Sequence, residues 1–183
     1  MRPKNRLLTR TFLLITALAL LAFPATAYAQ NDGAEHASAI LRNPAGDIIG
    51  FASFTENARG LVYVNVHVKG ISPGLHGIHI HAIGACMPDF GAAGGHHNPL
   101  GKEHGLDNPN GPHAGDLPNL TVNEDGVGHL NTKTDRATIS PGPTTLFDQN
   151  GSSLVIHDHE DDQMSQPIGG SGPRIACGII GQA

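Results

Sequence analysis

Three histidines stand among Ile, Leu and Gly in the run GLHGIHIHAIGAC, residues 74–86. The run reads as a strand, and burying imidazoles among aliphatic side chains is costly unless each has a partner. In a strand, residues i and i+2 share a face about 6.5–7 Å apart, so His79 and His81 can aim both rings at one ion. His76 lies three positions earlier and faces the other way, which makes it a packed, hydrogen-bonded histidine rather than a ligand. His157, in LVIHDH, is a further candidate, expected to face inward at the end of a distant apolar strand. The segment between adds His96 and His97 (GGHHNP), His104 (GKEHG), and His113 with Asp116 (HAGD). Clustered imidazoles without thiolate or free carboxylate ligands favour copper or zinc. The candidates outnumber the ligands of one four-coordinate site, so two ions are the economical count. The bridging choice between His96 and His97 stays open at this level. His36, His67, His129 and His159 fit ordinary surface or core roles.

The elements that must position these rings are short alternating runs separated by turn signals. Residues 35–42, 47–56, 61–70, 75–84, 119–123, 127–132, 153–158 and 174–182 give eight strand candidates, the pattern of an all-β sandwich or barrel. No segment carries a convincing helical period. Residues 85–118 and 158–173 fit no strand, and structureless loops this long inside a compact domain are usually functional.

Residues 1–29 read as a cleaved secretory signal: a basic start, an apolar run, and a small-residue cleavage site after Ala29. The expected mature domain is 30–183, exported to a periplasm or the outside. Losing Arg2, Lys4, Arg6 and Arg10 from the 11 basic residues leaves 7 against 16 acidic ones, a net of −9. Nucleic acid and anionic membranes are poor partners for such a surface. In an exported chain, the two cysteines, Cys86 and Cys177, read as a disulfide. Closing so long a loop is worth roughly 4–5 kcal/mol in the chain-entropy picture.

The motifs GLHGIHIH, AGGHHNPLGKEHG, GPHAGDLPNL, LVIHDHEDD and GPRIACGIIG, in this order, resemble the copper–zinc superoxide dismutases across nearly the whole mature chain. The resemblance implies an eight-stranded antiparallel Greek-key β-barrel with two long functional loops. It implies His79, His81, His96 and His157 as copper ligands and His96, His104, His113 and Asp116 as zinc ligands. His96 would bridge the two ions, and Asp161 would tie a copper-site histidine to a zinc-site one. The implied catalytic residues are His96, which passes a proton, and Arg174, a fixed cation for a small anion. The implied cofactors are one copper and one zinc per subunit. The implied reaction is conversion of superoxide to O₂ and hydrogen peroxide by Cu(II)/Cu(I) cycling. The family includes both monomers and homodimers.

Some features depart from the family pattern. The segment after His157, DHEDDQMSQPIGGSGP, carries four acids and no Lys before Arg174, and Ile168 stands where a Thr is common. Weaker steering of the anion is the expectation. His97 and His159 are expected at exposed positions. The rival from another class is a non-catalytic copper or zinc buffer or delivery module on the same fold. A zinc hydrolase fits less well, since Asp116 would be consumed as a ligand and no H-E-x-x-H occurs.

Overall fold

The computed structural model describes residues 35–183. The signal segment, its cleavage after Ala29 and a start near Gln30 lie outside the described residues. The alternating runs form β1 (Glu35–Arg42), β2 (Ile48–Glu56), β3 (Val62–Lys69), β4 (Gly74–His76), β5 (Ile78–His81), β6 (Leu120–Val122), β7 (Val127–Thr134), β8 (Ser153–His157), β9 (Arg174–Ile179) and β10 (Gly181–Gln182). All of their ladders are antiparallel. Along the sheet the order is β4-β6-β7-β3-β2-β1-β9-β8-β5, with β10 added on β1.

Eight expected runs thus become ten strands, because two of them break. The run 75–84 splits at Gly77, and its halves lie at opposite ends of the strand order. One residue therefore carries the chain from the first strand of the path to the last, and the sheet curls into a nearly closed barrel. Gly77 is required by close approach: a Cβ there would lie 2.6 Å from the Ser171 Cβ. Its own amide and carbonyl pair with His159 O and His157 N, each at 2.8 Å. The run 174–182 breaks similarly into β9 and β10.

Inside the barrel, β1, β2 and β3 alternate buried and exposed residues, as strands with one solvated face must. Leu41, Phe54, Val64, Val66, Ile78, Ile80, Leu120, Leu154 and Ile156 meet in the core. β5 and β8 differ, since every residue of both is buried. Ile78, Ile80, Leu154 and Ile156 fill their inward positions, so His79, His81 and His157 must point outward. The inward orientation expected of His157 is corrected by this parity: the aliphatic neighbours take the core. The two long loops roof the outer face of this wall. The only helical turn among the described residues is a 3₁₀ segment, Phe90–Ala93, in the first loop.

Candidate metal centre

β5 lies at the end of the sheet path, so only β8 pairs with it along a full ladder. Its free edge is taken by the 85–118 loop. Isolated antiparallel bridges set His81 opposite His96 and His79 opposite Asp116. Backbone bonds hold the loop there: His97 N to Ile80 O at 2.8 Å, Ile80 N to Gly115 O at 2.9 Å and Ala82 N to Gly95 O at 2.9 Å. Main-chain pairing thereby brings ring-bearing residues from remote segments onto neighbours of one strand. β8 supplies His157 from the other side.

Four ring nitrogens, His79 Nδ1, His81 Nε2, His96 Nε2 and His157 Nε2, are buried and have no hydrogen-bond partner. These residues form a group whose donor atoms lie within 4.8 Å of one another. The second nitrogen of each ring is committed elsewhere. His79 Nε2 meets Asp161 Oδ2 at 2.6 Å, His81 Nδ1 donates to Gly94 O at 2.9 Å, and His157 Nδ1 donates to Gly172 O at 2.9 Å. Unpartnered buried nitrogens are expensive in a finished core and are explained by an ion that all four can face.

Beside this group, His96 Nδ1, His104 Nδ1 and His113 Nδ1 lie 2.9, 3.1 and 3.3 Å from Asp116 Oδ1. His113 Nδ1 is 3.2 Å from His96 Nδ1. Four donors each about 2.0 Å from a common centre would stand about 3.3 Å apart, so this set fits a tetrahedral ion. His79 also comes within 4.8 Å of His96, His104 and Asp116, but its Nε2 is held by Asp161 and its Nδ1 belongs to the first group. His96 alone offers one nitrogen to each set. Asp116 is oriented by Gly105 N and His113 N on its second oxygen, at 2.9 and 3.0 Å.

Electrostatics divides the two sets. Burial pushes His79 down to about 3, His81 to about 2 and His157 to about 4, so these rings are neutral near pH 7. His96 is also lowered, mainly by burial. Burial opposes a charge on His104 too, but hydrogen bonds to Asp116 and Asp161 override it and raise the ring to about 9. Asp116 and Asp161 are held far below the ordinary carboxylate range by those same imidazoles, against the effect of burial.

Asp161 spans both sets, with Oδ2 on His79 and Oδ1 3.0 Å from His104 Nε2. Asn119 clamps the Asp161 backbone twice, at 2.8 and 2.9 Å. Arg174 donates to Phe90 O and, at 2.6 Å, to Gly94 O, the same carbonyl that holds His81. It lines a cavity of about 530 Å³ together with His96, His113, Asn98 and Ile168. The Cys86–Cys177 disulfide fastens the start of this loop to β9.

His76 is buried and hydrogen-bonds His157 O and Ser72 O at 2.8 and 2.9 Å, as a packed histidine should. His159 is exposed, but His97 is not: it is only 2 % accessible, with Nε2 donating to Thr144 O at 3.2 Å. The loop's pairing with β5 explains the difference, because it turns His97 inward where His96 turns toward the site. Residue types alone did not mark Asn119, Gln166 or Arg136. Gln166 brackets the His104 backbone at 2.9 and 3.0 Å, and Arg136 donates to Asp116 O at 2.7 Å. Asn119 had a signal, its place in GPHAGDLPNL. The other two had none.

A family model described as copper/zinc superoxide dismutase (SODC) matches residues 48–180. The Aquifex aeolicus (strain VF5) protein named superoxide dismutase Cu-Zn 2 is 43% identical over 147 residues, covering 79% of this chain and 85% of that protein. The superoxide dismutase-like protein YojM of Bacillus subtilis (strain 168) is 40% identical over 143 residues, covering 76% of this chain and 73% of that one. A crystal structure of a SOD-like protein from Bacillus subtilis superposes with a TM-score of 0.74 at 38% identity, over 78% of this chain and 96% of that one.

Proposed function

This chain belongs to the copper/zinc superoxide dismutase family, and from that premise we propose that it is an exported enzyme converting superoxide to O₂ and hydrogen peroxide. The observation that carries the reading is the set of four buried, unpartnered nitrogens on His79, His81, His96 and His157. We assign these residues to copper and His96, His104, His113 and Asp116 to zinc. Copper held there would supply the one-electron Cu(II)/Cu(I) couple that conversion of superoxide to O₂ and hydrogen peroxide requires.

The chain's own residues do the rest. His79, His81 and His157 hold their rings neutral near pH 7, with tautomer and direction set by Asp161, Gly94 O and Gly172 O. His96 Nε2 is the atom at which a proton is held and released, since the Nδ1 of the same ring faces the Asp116 side. Arg174, braced by two carbonyls, presents a fixed guanidinium to a small anion entering the cavity beside His96. Asp161 couples the two sets, so a displacement at one is felt at the other. Export is supported by the disulfide, a bond that persists in oxidising compartments.

The name of the Bacillus subtilis relative, superoxide dismutase-like, keeps a second reading in play: a metal-binding module without turnover. A buffer has no need of Arg174 beside an open cavity. Metal analysis paired with an assay of superoxide consumption separates the two. One copper and one zinc with rapid consumption supports the enzyme; both metals bound and no consumption supports the module.

A further inference from the structure

Away from the centre, a second group of imidazoles meets on the outer face of the barrel. His67 and His129 stand directly opposite one another across the β3–β7 ladder, with ring centroids 4.4 Å apart and planes at 87°. Phe51, opposite His67 on β2, stacks against that ring at 5.2 Å and 19° and limits its rotation. Both histidines are exposed, and they border a shallow depression of about 560 Å³ that also includes Ile48, Phe51, Lys69 and Val127. In the strand order, β3 and β7 lie across the barrel from β5 and β8. This pair is therefore separate from the centre already described.

The geometry suits a cation. Two imidazoles bound about 2.0 Å from one ion at a right angle would place their centroids about 4.5 Å apart. A tetragonal Cu(II) or Ni(II) site takes two neighbouring imidazoles at that centroid spacing, whatever the angle between their ring planes. Among the described residues no carboxylate lines the depression, and Lys69 adds a positive charge at its edge. Hard ions such as Ca²⁺ or Mg²⁺, which need oxygen ligands, therefore find nothing to hold them. We propose that His67 and His129 form a third, solvent-facing metal site for Cu(II) or Ni(II), with water completing the coordination. Two exposed ligands make it an exchangeable site, unlike a buried set of four.

The test uses protein first loaded with copper and zinc, freed of excess metal and then titrated with Cu(II). One additional equivalent is expected, removable by brief treatment with EDTA, with the spin-resonance signature of two nitrogen ligands. His67→Ala or His129→Ala should each weaken that equivalent at least ten-fold, and the double variant should lose it. Copper and zinc at the centre should be unchanged in all three variants, because the two side chains are surface groups on the far wall. Absence of an extra equivalent in the unaltered protein would overturn the proposal. So would an extra equivalent that survives with equal affinity in the double variant.

Discussion

Asp161 gives one carboxylate oxygen to His79 and the other to His104, so one side chain sets ring orientation in both metal groups. An amide in its place has only one accepting atom. Asp161→Asn should lower retention of both ions by about 10–100-fold, the usual cost of losing an outer-sphere partner. Competition with a chelator checks it. His157→Ala should abolish turnover while leaving a folded protein that still binds zinc, and an active variant would contradict the copper assignment. A proton count tests the zinc side. With His104 raised to about 9, the metal-free ring is charged at pH 7.5, whereas a zinc-bound ring must be neutral. Zinc binding should therefore release about one proton at pH 7.5 and progressively fewer above pH 9, read by calorimetry in buffers of different ionisation enthalpy. At this scale the sequence marks the ring-bearing residues by type and spacing. It does not show that His97 is buried, because that depends on how the loop lies against β5. Arg136 and Gln166 act on the backbone of Asp116 and His104, a role that no residue type announces.

Among the elements, the disulfide loop carries the most consequence. Gly94 O accepts from both His81 and Arg174, and the loop bearing Gly94 is tied to β9 by Cys86–Cys177. Slack in that loop would release a ring and the guanidinium together. Cys86→Ser should cost about 2–5 kcal/mol of stability and weaken copper retention. Thermal unfolding and metal content measure the two effects, and no change in either would refute the coupling. The strands themselves are legible from alternation: β1 matches the expected 35–42, and β2, β3, β6, β7 and β8 differ from their expected ranges only at the ends. The break at Gly77 is not legible, because LHGIHIHAIG keeps its apolar character across it. At that residue the backbone pairs instead with His157 and His159, and Ser171 packs where a side chain would stand; all three are distant in sequence.

For the whole molecule, the balance of charge bears on how fast an anion arrives. Residues 30–183 hold 7 basic and 16 acidic residues, a net of −9, and among the described residues Arg174 is the one Arg or Lys lining the cavity beside His96. Long-range repulsion should slow the approach of superoxide, while the close attraction of Arg174 is screened less. Raising ionic strength from 0.01 to 0.15 M shortens the screening length from about 30 to about 8 Å. kcat/KM should therefore hold steady or rise over that range, and a steep fall would show that attraction dominates at long distance. The occupied flank of β5 has a different consequence, one that concerns solubility. When the ligand loop sits on that flank, its backbone amides and carbonyls are spoken for. With both ions stripped and the disulfide reduced, an apolar strand rim comes open to any passing chain. Such material should clump on standing at concentrations where the loaded, oxidised protein stays dispersed, so the ions and the sulfur bridge also act as its guard against fibrous association.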